Sequence, residues 1–246
     1  MSRRRSAGRD VKRRGGRSAV DSLGGWPTVG SVVATVLVVV ALIAFNLPGS
    51  DVNDDPYVLS DGGVERPRVE GNPDAPVRIL EFSDFQCPFC RRFTFETAPA
   101  LREEFVETGV VTIEYRHLVV LGEESLRAAE AAECAGVQGA FWEFHDLLFL
   151  RQGAEFSGTF SSGNLKGFAR ELAAALAPFD RPFDLDLFDA CLDGGGARVI
   201  IEAQTAEARS LGLSNTPSFL VGNVLVSGAQ PVEVFRRAIA QAQGSE

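Results

Sequence analysis

Apolar residues are laid out along this chain in three different ways. From Val29 to Leu47 (VGSVVATVLVVVALIAFNL) they form a run of 19 residues without a single charge. A soluble helix of this length normally keeps a polar face, and none is present. At 1.5 Å per residue the run matches a hydrocarbon core of about 30 Å, so residues 29–47 are expected to form one transmembrane helix. Residues 48–76 show no apolar period; they carry Pro48, Pro56, Pro67, Pro73 and Pro76, four glycines and seven acids. That composition predicts a stiff, solvated stalk over 48–68 whose end packs onto a domain starting at residue 69.

From Val77 onward short apolar runs alternate with helical periods. Val77 to Phe82 reads as a buried strand. A loop, Ser83 to Gln86, leads into Cys87-Pro88-Phe89-Cys90 and a helical stretch to about Thr108, with Pro99 as a kink or break and Gly109 as its stop. Val110 to Tyr115 is a second, β-branched strand. Helical segments follow at Ser125–Glu133, Phe141–Leu150 and Leu165–Leu176, and Gly194-Gly195-Gly196 punctuates their end. A further helix is expected over Val199–Leu211. Gly222-Asn223 sits between two short apolar runs as a hairpin signal, and a last amphipathic helix covers Val232–Ala240. The order is βαβ, a helical block, then αββα: an α/β domain over 69–246 with a helical insertion at about 121–195. No internal repeat is present.

Charge sharpens the division. Residues 1–25 hold eight Arg or Lys against two acids, so within a formal net charge of -9 that segment is +6 and everything else sums to -15. The basic tail, residues 1–28, is expected to stay in the cytoplasm under the positive-inside rule, with Trp26 at the interface and the remainder exported. A cleaved signal peptide is the alternative, although no small-x-small site follows the apolar run. Twin-arginine export fits poorly, because the arginine pairs are not followed by hydrophobic residues in the right place. A domain this acidic repels phosphate backbones, so no nucleic-acid partner is expected. The 45% hydrophobic content is that of a folded protein, and four cysteines are too few for a disulfide scaffold.

The chemistry concentrates at Cys87-Pro88-Phe89-Cys90. A C-x-x-C after a buried strand and opening a helix puts the first cysteine among unpaired N–H groups, which favour a thiolate. Pro88 is tolerated in the first turn, where its missing N–H would be unpaired anyway. Half of a zinc site is an alternative, but Cys134, Cys191, His117 and His145 supply no second short-spaced pair. A merely structural bridge is another, though so small a loop constrains the unfolded chain little. No metal or cofactor is expected beyond the cysteine pair itself.

EFSDFQCPFC (81–90), followed by Asn215-Thr216-Pro217-Ser218-Phe219, resembles the thioredoxin superfamily, and more closely the bacterial DsbA-like thiol–disulfide oxidoreductases. Ala131–Ala135 and Gln138–Asp146 are similar to helical-domain signatures of that family. The resemblance covers roughly 69–246 and implies a thioredoxin-like fold with an inserted helical domain. It implies that Cys87 is the exposed attacking cysteine and Cys90 the buried resolving one. Pro217 is then a cis-proline beside them, with Thr216 turned toward a substrate cysteine; an ordinary strand-start proline is the alternative. Glu81 occupies the family's buried-acid position and is the expected proton acceptor for Cys90; otherwise it points to solvent or pairs with a surface base. Phe89 stands where the strongest oxidants carry histidine, so Pro88-Phe89 is expected to tune the pair toward a less depressed Cys87 pKa. Phe85 and Phe89 could offer apolar contact to unfolded chains, whereas Phe82, Phe93 and Phe95 are expected in the core.

Cys134 and Cys191 lie at the two ends of the helical block. In an exported protein a bridge between them is the simplest reading, as in some relatives; buried free cysteines are the alternative. His145 is expected to hydrogen-bond within the helical block, and His117 is a weaker candidate for contact with the redox pair. The whole reads as a monomeric, single-pass membrane protein whose extracytoplasmic domain donates a Cys87–Cys90 disulfide to newly exported, unfolded proteins. A DsbB-like or VKOR-like membrane protein would reoxidise it. A reductase or isomerase on the same fold, for example in cytochrome maturation, and a non-catalytic chaperone module are the alternatives. The direction of electron flow is left open by the sequence.

Overall fold

A computed structural model describes residues 68–244. The basic tail, the apolar run 29–47 and nearly all of the stalk lie outside the described residues, and among the described residues no helix is long and apolar enough to cross a membrane. Five strands form one sheet in the order β1-β3-β2-β4-β5: β1 (Val69–Glu70), β2 (Val77–Ser83), β3 (Val111–His117), β4 (Ser218–Val221) and β5 (Val224–Ser227). β2 and β3 run parallel, and the other pairs are antiparallel. This is a thioredoxin-like sheet, and its centre is the strand that carries Glu81.

Alternation along β2 sorts its side chains between two layers. Val77 and Ile79 face a core with Phe93, Leu101, Ile113, Phe219 and Phe235, while Phe82 faces a smaller cluster with Leu118, Ala208 and Leu213. Glu81 and Ser83 continue the first face. Helices cover both sides: α1 (Pro88–Glu96) and α2 (Ala98–Leu101), then α3 (Glu123–Gly136), α4 (Phe141–Arg151), α5 (Ser162–Leu176), α6 (Leu185–Gly194), α7 (Arg198–Ser210) and α8 (Val232–Gln243). α3 to α6 are consecutive in the chain and form the helical block. The turn between β4 and β5 places Gly222 at φ 58°, where an added Cβ would come within 3.0 Å of Ala242.

Three local expectations are corrected. The stretch after the cysteines is not one helix to Thr108: α1 stops at Glu96, α2 restarts with Pro99 in its first turn, and a π-helical turn covers Arg102–Val106. Proline fits a helix start better than an interior, so the break falls just before it. The first residues of the domain, Val69–Glu70, form an edge strand, β1, that the sequence reading did not assign. The helical block also holds α6, not assigned from sequence, although Asp184 caps its start by accepting from the N–H groups of Asp186 and Leu187 and Gly195 ends it at φ 63°.

Candidate active site

The approach to Cys87 is held from both sides. Asp84, at the end of β2, accepts from Gln86 N (2.9 Å), Val120 N (2.9 Å), Leu121 N (3.1 Å) and Ser125 Oγ (2.5 Å). Gln86 donates to Leu121 O and Ser125 Oγ, and the Phe156 N–H donates back to it. From the helical block, Gln152 donates to Phe85 O (2.6 Å) and Cys87 O (3.1 Å). The loop 83–86 is therefore pinned to α3 and to the end of α4 before the chain turns into α1.

Cys87 is the N-cap of α1, with extended backbone, and Pro88 opens the helix. Both Cys87 and Cys90 are free thiols. The Thr216-Pro217 peptide is cis, and the Thr216 carbonyl lies 3.3 Å from Cys87 Sγ. Hydrogen bonding from Cys90 brings the Cys87 pKa down from 9.0 to about 6 against the opposing effect of burial. The Thr216 side chain and the N–H groups of Cys90 and Phe89 add to that lowering. Burial, followed by the Cys87 neighbour, drives Cys90 the other way, well above an ordinary thiol. The two sulfurs are thus set unequally, Cys87 toward the thiolate and Cys90 toward the thiol.

Glu81 is buried six residues upstream, with Oε1 lacking any hydrogen-bond partner among the described residues. Burial raises its pKa to about 8, although the charge of Arg102 pulls downward. It is not a surface acid. No group of three or more His, Cys, Asp or Glu gathers among the described residues as a metal site would require.

The family follows from sequence similarity to known proteins. Residues 64–241 match the family model described as Thioredoxin. The chain belongs to the thioredoxin family. Within it, this is a DsbA-like member. The chain is 26% identical over 199 residues to a probable disulfide bond formation protein D of Bacillus cereus, covering 78% of this chain and 85% of that one. A solved structure of a thioredoxin-like oxidoreductase from Silicibacter pomeroyi is 30% identical, covers 72% of this chain and 92% of that chain, and superposes with a TM-score of 0.59. A Na(+)/H(+) antiporter NhaA 1 of Salinispora arenicola is 34% identical over 182 residues, which is 72% of this chain but 25% of that protein. The chain thus spans about a quarter of the length of the curated antiporters it matches.

Several side chains sit elsewhere than this DsbA-like sequence predicts. Cys87 is only 5% exposed, with the Thr216 carbonyl against its Sγ and Gln152 bonded to its own carbonyl; it is more accessible than Cys90 but not an open nucleophile. Phe85 faces inward, stacked on Tyr115 (5.5 Å between ring centroids) and against Phe149 (5.1 Å) and His145 (5.7 Å), so it is not offered to unfolded chains. Phe89 is 53% exposed, as a substrate contact requires. Phe95, expected in the core, is 44% exposed and lies under the Arg91 guanidinium. Along the outer side of α1, a cavity of about 470 Å³ is lined by Pro88, Arg91, Arg92, Phe95, Glu96 and Leu150.

The two histidines serve the packing behind the loop. His117 Nε2 meets Glu133 Oε1 at 2.7 Å, and Glu133 also pairs with Arg68. Burial lowers the His117 pKa more than Glu133 raises it. His145 Nδ1 meets Asp146 Oδ1 at 2.8 Å within α4. Cys134 of α3 and Cys191 of α6 are bonded to each other, with Cα atoms 5.7 Å apart. Ser83 and Tyr115 escaped the sequence reading, because Ser83 ends β2 rather than opening the loop and only the pairing with β3 brings Tyr115 opposite Glu81.

Proposed function

We propose that this chain is a membrane-anchored thiol–disulfide oxidoreductase that donates the Cys87–Cys90 disulfide to exported proteins. The observation that carries this reading is the placement of the pair: Cys87 is the N-cap of α1, with the Thr216 carbonyl 3.3 Å from its Sγ, and Cys90 is fully buried behind it, which favours the thiolate at Cys87 and the thiol at Cys90. A stabilised Cys87 thiolate stabilises the dithiol form, and a dithiol that is stable makes its disulfide oxidising.

A substrate thiolate attacks Cys87 Sγ, and the electron pair of the Cys87–Cys90 bond passes to Cys90 Sγ, which takes up a proton. Glu81 is the group assigned to hold that proton. A second substrate thiolate then attacks the substrate sulfur of the mixed disulfide and expels Cys87 as thiolate. Two electrons have moved from substrate to enzyme, and a DsbB-like or VKOR-like membrane partner would remove them. The Thr216 carbonyl beside Cys87 offers backbone pairing to an extended substrate, and exposed Phe89 and Phe95 offer apolar contact. Residues 29–47 would hold donor and reoxidant on one surface.

The test is the reduction potential of the full-length protein in detergent, equilibrated in glutathione buffers. A value well above roughly -200 mV is expected. A value near or below roughly -270 mV would move the protein to the reductants.

A further inference from the structure

We infer that the Ser83 hydroxyl carries the proton between Glu81 and Cys90 during exchange. This rests on the reading of Cys87–Cys90 as the working pair and of Glu81 as its proton partner. Ser83 and Glu81 are two positions apart on β2 and so share a face. Across the parallel ladder Glu81 stands opposite Tyr115, and Ser83 opposite His117. Cys90 is fully buried in the first turn of α1, seven positions after Ser83.

Three polar atoms in this group are buried without a hydrogen bond among the described residues: Glu81 Oε1, Ser83 Oγ and Tyr115 OH. Buried polar atoms without partners are uncommon, and a redox or catalytic role is one of the reasons a protein keeps them. Ser83 is the member common to the others. Its hydroxyl favours the charged forms of Glu81, Cys90 and Tyr115 alike. A hydroxyl donates one proton and accepts another at the same oxygen, which is what a relay requires.

The step balances. As the Cys87–Cys90 bond breaks, Cys90 Sγ receives the electron pair and takes the proton from Ser83 Oγ. Ser83 Oγ takes a proton from the Glu81 carboxyl, which becomes a carboxylate. When the pair is reoxidised, Cys90 returns its proton along the same route. Glu81 is set for this exchange by the groups around it: Arg102 from the π-helical turn, Glu70 from β1, Asp146 with its partner His145 from α4, Tyr115 from β3 and Cys90 from α1. Tyr115 does not compete as donor, because burial drives its pKa far above an ordinary phenol.

The experiment follows reduction of the oxidised full-length protein by glutathione, with the rate expressed per glutathione thiolate. Ser83→Ala and Glu81→Gln are each expected to slow it about tenfold, the lower part of what general acid catalysis contributes. The double variant is expected to be no slower than Glu81→Gln alone. Ser83→Thr, which keeps the hydroxyl, should retain the wild-type rate. The wild-type rate should fall as pH rises through about 8, where Glu81 loses its proton, and Ser83→Ala should flatten that profile. The 240 nm thiolate absorbance of Cys87 should titrate alike in wild type and Ser83→Ala. A slow Glu81→Gln with a Ser83→Ala of wild-type rate would overturn the relay and leave Glu81 as direct partner. Wild-type rates in both would remove Glu81 and the relay together. Multiplying effects in the double variant, or a Ser83→Thr as slow as Ser83→Ala, would reduce Ser83 to packing.

Discussion

Glu81 and Cys87 have their proton affinities moved in opposite directions, and the two movements have opposite consequences for stability. Cys87 falls to about 6, so its thiolate stabilises the folded dithiol above the ordinary thiol pKa, and that contribution is lost as pH falls through 6. Glu81 rises to about 8, so its contribution is fully present below about 4.5 and is lost as pH rises through 8. Glutamine cannot ionise. Stability of Glu81→Gln relative to wild type is therefore expected to improve by a few kcal/mol between pH 5 and 8.5. Urea denaturation of both reduced proteins measures this, and the Cys87 contribution cancels in the comparison. An unchanged difference would mean that Glu81 is not held protonated by burial. Of this site, Cys87, Cys90, Glu81 and the Thr216-Pro217 pair were legible in the sequence, because motif and spacing mark them. Ser83 and Tyr115 were not: the apolar run ends at Phe82, so nothing in it extends the strand to Ser83, and nothing local tells that β3 brings Tyr115 opposite Glu81. Phe85 and Phe95 were read the wrong way round for a similar reason: aromatic composition does not state which side of a loop or helix faces the core.

The loop 83–86 is the element on which the cysteine geometry depends, and Asp84 is its anchor. One buried carboxylate satisfies three backbone N–H groups and the Ser125 hydroxyl. Asp84→Ala would leave these donors unpaired, and a loss on the order of 3 kcal/mol is expected by urea denaturation. Because Val120, Leu121 and Ser125 belong to the entry into the helical block, the same change should also slow exchange at Cys87; a variant that loses stability but keeps its rate would separate the anchor from the chemistry. Elements with a strong local signal were legible: β2, the hairpin at Gly222-Asn223, and the helices around Phe141 and Val232. The elements missed had local cues too weak to stand alone. β1 is two residues long and exists only by pairing with Ile113 and Glu114. α6 is announced by an aspartate cap and a glycine stop, but its sequence lies between a proline-containing turn and three glycines that obscure it.

On the scale of the molecule, the Cys134–Cys191 bridge ties the first helix of the block to its last across 57 positions. In the chain-entropy model a loop of that length contributes about 4 kcal/mol. Replacing both cysteines by alanine is expected to lower the thermal midpoint by about 10 °C, while the rate of Cys87 exchange with glutathione at 25 °C stays as it was. A fall in that rate at a temperature where the variant remains folded would mean that the helical block positions the site as well as covering it. The bridge also divides the protein's sulfur into two accounts that are not interchangeable. Burial does not separate them, since Cys191 is 9% exposed and Cys87 5%; what separates them is that reduction of the first pair leaves a stabilised Cys87 thiolate, whereas reduction of the second releases the constraint on the helical block. Mild reductant will empty the first pair long before it reaches the second, so the molecule can pass through many cycles of reduction and reoxidation while its own scaffold remains permanently oxidised.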